Sequence, residues 1–288
     1  MKYAFIQQHA RRYPINKLCK ALQVSRSGYY DWLIRTPSQR EHDNQQLLGS
    51  IKALHTLHKQ RYGSPRMHAA LCQQGHVVSR GRVERVMHKH QIMAQRSKRH
   101  KRVYIQRTQQ MASPNILSRE FRASQPNRKW VSDITFIATR EGFVYLAIML
   151  DIYSRAIVGW AMSQRINSER VLDALVMAIE HRGSPKGVLV HSDQGSQYTA
   201  EVYRHKLSQQ AMVCSMSRKG ECHDNAVAES FFHTLKEELI HDNQYTNRQQ
   251  AKQSIFEYIE LYYNRQRLHS YLGYEAPLKY EMMHAVDA

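Results

Sequence analysis

Three carboxylates occupy positions where a carboxylate is costly. Asp133 interrupts the strand-like run KWVSDITFIAT (residues 129–139), Asp193 follows the apolar GVLV (187–190) within HSDQGSQY, and Glu229 lies in DNAVAESFFHTLKEEL (224–239). A carboxylate beside buried chain must be paired or must hold a cation. In the third stretch, helical offsets of four and seven return Asn225, Glu229 and Lys236 to one face. Acids that converge raise one another's pKa, and divalent cations relieve that repulsion. Hard oxygen ligands with open positions suit Mg²⁺ or Mn²⁺; two such ions about 4 Å apart can activate an attacking oxygen and stabilise the leaving oxygen of a phosphodiester.

The elements that must bring these acids together can be read from periodicity. Residues 129–139, 143–151 and 155–162 alternate and are joined by short turns, which predicts three antiparallel strands. An amphipathic helix over 168–183 follows, then the apolar strand ending near Val190, a helix near 198–209, a strand over 212–217 and a helix from about 225 to 239. That order predicts an α/β fold, a mixed five-stranded sheet covered by helices on both faces. Asp133 then lies inside the first strand, Asp193 at a strand end and Glu229 on a helix packed across them. Two further acids have structural readings: Asp151 satisfies turn amides and pairs with Arg155, and Asp224 caps the Glu229 helix.

Charge divides the chain. Residues 1–129 carry 26 Lys and Arg against 5 Asp and Glu, a net of +21, whereas residues 130–288 carry a net of −3. The asymmetry assigns polyanion binding to the first half, with nucleic acid as the leading partner. Residues 1–93 read as an all-α region. PINKLCKAL (14–22) and a helix capped by Ser25 are separated by Gln23 and Val24, a helix-turn-helix or a structural hairpin, with Gln23 where such turns favour glycine. In the first reading Arg26, Ser27 and Tyr29 meet DNA near the start of the second helix. A second such unit ends in SRGRVERVMHKHQI (79–92), offering Arg80, Arg82 and Arg85. Residues 94–127 read as a basic linker that either lies along phosphates through Lys98, Arg99, Lys101 and Arg102 or is disordered alone. Residues 128–245 form the core and 246–288 a helical tail, in which Arg265 and Arg267 either contact phosphates or pack the tail on the core.

Other classes are excluded. There is no run of about 18 apolar residues and no apolar signal core, which predicts a cytoplasmic protein with no membrane partner. The four cysteines are scattered without a CxxC pair, and no clean zinc spacing joins them to the 17 histidines.

WVSDIT (130–135), HSDQGSQY (191–198) and CHDNAVAESFFHTLKEE (222–238) resemble the three motif blocks of the DDE transposases of the retroviral integrase superfamily. RYPINKLCKALQVSRSGYYDW (12–32), RYGSPRMHAAL (61–71) and YYNRQRLHSYLGYEAP (262–277) extend the resemblance nearly end to end, to the OrfB-type catalytic frame of bacterial insertion-sequence transposases. The resemblance implies a ribonuclease H-like core and a metal-binding triad of Asp133, Asp193 and Glu229, the last two separated by 35 residues. It also implies that Lys236 contacts DNA near the scissile phosphate, with His191 and Asn225 as weaker candidates for orienting the site. The implied activity is divalent-metal-dependent cleavage at transposon ends and 3′-hydroxyl strand transfer. The implied partners are double-stranded DNA, further copies of the chain assembled on it, and an upstream-frame partner or fusion.

Overall fold

Alternating apolar residues and short turns fold residues 129–163 into an antiparallel meander of β1 (Lys129–Thr139), β2 (Gly142–Asp151) and β3 (Ile157–Ser163). The computed structural model describes residues 1–36, 38–95, 113–165 and 168–285. β4 (Leu189–Ser192) and β5 (Val213–Met216) join in parallel on the other side of β1, giving the order β3-β2-β1-β4-β5. This is the expected mixed sheet. β3 begins two residues later than the apolar pattern suggests, because Arg155 turns the chain through a left-handed φ of 62°.

The strands alternate faces, and each face has its own cover. Val131, Ile137, Leu146, Ile148 and Leu150 pack against Val227, Phe231, Phe232 and Leu235 of α10 (Ala226–Leu235) and against Ala251 and Ile255 of α11 (Arg248–Phe256). Trp130, Ala147, Met149, Val158 and Val190 face α7 (Ser168–His181) and α9 (Glu201–Gln209), which follows the single turn α8 (Ser196–Thr199). α7 approaches β3 closely because residue 159 is glycine: a Cβ there would stand 2.7 Å from Ala178 N and closer still to Ala174 O.

The N-terminal helices are α1 (Lys2–His9), α2 (Ile15–Ala21), α3 (Arg26–Ile34), α4 (Gln39–Leu57), α5 (Ser64–Gln73) and α6 (Arg80–Lys89). Ser25 and Ser79 cap α3 and α6, accepting from Gly28 N and Arg82 N at 3.0 and 3.3 Å. Gln23 adopts a φ of 51°, so the turn between α2 and α3 takes the left-handed backbone without a glycine. α4, α5 and α6 share a core of Ile51, Tyr62, Met67, Leu71 and Val83.

The tail is not packed as a separate layer. A π-helical stretch (Glu257–Tyr263) continues α11, supplying Tyr258, Ile259 and Tyr263 to the sheet's core, and Leu268 enters the core of α4–α6. α12 (Pro277–His284) returns to the sheet through Glu281, which accepts from both terminal nitrogens of Arg182 at 2.8 Å. In the region predicted as linker, described residues 113–127 turn against the sheet and bury Leu117. No helix among the described residues is long and apolar enough to cross a membrane.

Candidate active site

Strand parity sets the face of Asp133. Val131 and Ile137 point toward α10, so Asp133, two residues from Val131, points the same way. The parallel pairs 129↔189, 130↔190 and 131↔191 run β4 alongside β1 toward Asp133, and Asp193 directly follows the end of β4 at Ser192. Glu229 lies on α10, which covers that face, and Asn225 Nδ2 donates to Ser132 O at 3.0 Å, pinning the start of the helix to β1 one turn before Glu229. All three carboxylates are half-buried.

Local bonds orient them. Asp133 Oδ1 accepts from Ile134 N at 2.8 Å, and Asp193 Oδ1 folds back onto Gly195 N at 2.7 Å. Glycine at 195 leaves this turn uncrowded: a Cβ would stand 2.8 Å from that carboxylate oxygen and from Gln197 Oε1, and one of these side-chain ends would have to shift. Beneath β1, Ser132 Oγ donates to Ile148 O, so the Tyr198 hydroxyl is left to donate to Ser132 Oγ at 2.9 Å. Burial, then the charges of Asp133 and Asp193, push the Tyr198 phenol far up and keep it neutral.

His191 serves as a strut. Ser215 Oγ already accepts from Ile116 N and Leu117 N, so its hydrogen goes to His191 Nδ1; Nε2 then carries the ring proton toward Ser217 Oγ. Burial lowers the histidine to about 4. β4, which Asp193 follows, is thereby tied to β5 and to residues 116–117.

Two structural readings need correction. Asp224 does not cap α10: Asn225 is the N-cap residue and makes no side-chain cap bond. Asp224 instead is fully buried and accepts from Arg218 Nε and Nη2 at 3.1 Å, Arg119 Nε at 2.6 Å and Asn115 Nδ2 at 2.8 Å. The Arg218 hydrogen bonds, despite burial, hold its carboxyl far below the usual range. Two guanidiniums, with the Arg218 backbone amide at 3.0 Å, take up the buried carboxylate in place of a cap bond. Asp151 does accept turn amides, Asn127 N at 2.7 Å and Tyr153 N at 2.9 Å, and burial pushes it up to about 6. Its expected partner Arg155 points elsewhere, donating to Phe121 O and stacking 4.1 Å from the Tyr271 ring centroid.

The expected DNA contacts fall into three groups. Arg26, Ser27, Arg80, Arg85 and Arg265 are exposed, and Lys236 is half-buried with Nζ 5.6 Å from the Phe136 ring centroid. Arg82 is half-buried and donates from Nε to Asn44 Oδ1 at 2.9 Å. Tyr29 and Arg267 are corrected: Tyr29 is 2% exposed in the core of α1–α3, and Arg267, 3% exposed, grips Glu238. Lys98, Arg99, Lys101 and Arg102 lie outside the described residues.

The donor set suits a hard cation in chemistry: three half-buried carboxylates on β1, just past β4 and on α10, and Asn225 Oδ1 sealed from water without a partner among the described residues. It is not a finished cage, because among the described residues no three His, Cys, Asp or Glu side chains are gathered closely enough to hold an ion. Sequence reasoning did not single out Ser132, Tyr198, Ser215 or Glu238. Each looks like an ordinary polar or aromatic residue until its partner, distant in sequence, is known.

Against known proteins, the family described as "Integrase core domain" matches residues 123–222, a second so described matches 229–284, and an HTH-like domain matches 41–101. The transposase InsF for insertion sequence IS3A of Escherichia coli K12 is 40% identical over 283 residues, 98% of either chain. An uncharacterised 31 kDa protein of insertion element IS600 from Shigella sonnei is 39% identical over 272 residues, 94% of this chain and all of the relative. Among solved structures, the HTLV-2 integrase catalytic core domain in complex with magnesium aligns at 15% identity and a TM-score of 0.42, over 55% of this chain and 98% of that one. A simian T-cell lymphotropic virus intasome aligns at 15% identity and a TM-score of 0.45, over 81% and 74%.

Proposed function

Because this chain belongs to the IS3 family of insertion-sequence transposases, DDE polynucleotidyl transferases with an integrase core, we propose that Asp133, Asp193 and Glu229 form its catalytic triad. What supports the reading is the placement of the elements: Asp133 lies on β1, Asp193 just past the end of β4, and Glu229 on α10, the helix that covers the Val131 face of β1. Magnesium or manganese, two ions in all, held by those carboxylates would supply Lewis acidity to the attacking and leaving oxygens of a phosphodiester.

The chain's own residues hold and orient the DNA. Asn225 and Tyr198 keep α10 and β1 in place beneath the reacting phosphate. Lys236, two turns beyond Glu229, sets a positive charge beside the strand to be cut. Arg26, Ser27, Arg80, Arg85 and Arg265 grip the duplex backbone, fixing register without reading sequence. Cleavage at the transposon end leaves a 3′ hydroxyl, which then attacks a second phosphodiester in target DNA. The same oxygen chemistry serves both steps, so no covalent enzyme intermediate is required. The chain acts as a homo-oligomer on paired ends, with an upstream-frame partner or fusion adding further DNA contacts.

The test is Mg²⁺-dependent cleavage and joining of a duplex carrying the element's own end, comparing native protein with Glu229→Gln. Activity is expected to fall more than about 100-fold while DNA binding persists. Unchanged turnover in the variant removes the triad.

A further inference from the structure

Just beyond Lys236 the chain leaves α-helical geometry. Residues Lys236–Ile240 form a π-helical stretch closed by His241 N donating to Lys236 O at 2.9 Å. Such bulges recur at functional positions. Within it, Glu238 is 10% exposed and serves as the meeting point of three segments distant in sequence. Its carboxylate accepts from Arg267 Nε and Nη2, the latter at 2.7 Å, from Tyr258 OH at 2.9 Å and from Arg66 Nη1 at 3.3 Å. Its main-chain carbonyl accepts from Arg61 Nε at 2.9 Å, while that guanidinium stacks on Tyr262 at 4.4 Å. Arg66 also donates from Nε to Leu268 O at 3.0 Å.

Arg61 and Arg66 belong to the strongly basic half of the chain, and residues 41–101 match the HTH-like domain. Unlike Arg80 and Arg85, they turn inward, toward the helix that bears Glu229 and Lys236. Burial opposes ionisation of Glu238, but Arg267 and Arg66 outweigh it and hold the carboxyl below the usual range. An acid so ligated, nine residues past Glu229, fixes both the axial position and the rotation of that helix.

We infer that Glu238 is a positioning residue that registers the Glu229–Lys236 helix against the N-terminal helical region, with Arg61 and Arg66 as that region's two grips. DNA seated on α4–α6 is thereby coupled to the carboxylate face. The inference rests on the assignment of Glu229 to the reacting site.

The full-length Arg61→Gln/Arg66→Gln variant tests it without touching Glu238 itself. In the absence of DNA, hydrogen exchange of residues 236–241 is expected to quicken about tenfold, while β1 and β2 keep native protection. On the end duplex, kcat is expected to fall about tenfold with KM within about twofold of native, and Arg66→Lys, which keeps a cation before Glu238, to recover most of that loss. Native exchange over 236–241 overturns the inference, as does a loss confined to KM, which would make the arginines DNA contacts. Should the native protein neither cut nor join DNA, the proposed function fails, while the exchange result still decides the role of Glu238.

Discussion

At the residue scale, what a charged side chain does here depends on what it meets, not on its type. Arg265 and Arg267 are two positions apart; one is exposed and the other closes a buried pair with Glu238. Arg267→Ala strips one partner from that pair and is expected to destabilise the protein by ~3–5 kcal/mol in denaturant unfolding, with little direct effect on DNA affinity. His269 sets an acid limit. Burial, then the charges of Arg267, Arg155 and Arg66, lower it to about 3, and its Nδ1 is sealed from water without a partner among the described residues. Between the ordinary value of 6.5 and about 3 the unfolded chain binds the proton first, so stability falls as pH falls through that window. Asp151 runs the opposite way: raised to about 6 from 3.8, it contributes stability that is full below 3.8 and lost as pH rises through 6. The histidine's larger shift leaves a net loss on acidification. Melting temperature measured from pH 7 to 4 is expected to decline, and to decline less in His269→Gln.

At the element scale, close approach is the common device. α7 lies on β3 because Gly159 leaves room for the Ala174 and Ala178 backbone. Those neighbours are main-chain atoms and cannot swing aside, so Gly159→Ala is expected to cost ~3 kcal/mol, read as a lower urea midpoint. α10 is held to β1 by Asn225, and its π-helical continuation is held by Glu238, so the helix carrying Glu229 is pinned at both ends. The turn before α10 is fixed by Asp224 and its two guanidiniums, which also anchor the segment around Asn115 and Arg119.

At the scale of the whole molecule, a basic N-terminal half adjoins a slightly acidic core. The net of +21 over residues 1–129 predicts DNA binding that weakens steeply with salt, through release of condensed counterions. Arg80→Ala and Arg85→Ala each remove one exposed cation from α6. Titrations at several salt concentrations are expected to show each substitution lowering the magnitude of the log–log slope by about 1. Internal arginines such as Arg61 and Arg66 serve the joint between the halves, so the count of positive residues overstates the number of phosphate contacts.

The five strands, their mixed order and the serine caps of α3 and α6 were legible along the chain, because alternation, helical periodicity and capping are short-range effects. So was the candidate triad, since an acid inside an apolar strand or at its tip stands out against its neighbours. Even the turn at Gln23 was visible as a departure. Tertiary structure alone decided which polar residues became struts: Asp224 rather than a cap, Arg267 inside rather than on DNA, Ser215 beneath His191, and Glu238 at the joint. A buried polar group is stable only when its partner arrives, and although Arg218 reaches Asp224 from six residues away, most of these partners come from segments 20 to 172 residues away. Local pattern carries no trace of such pairings; folding of the whole chain creates them.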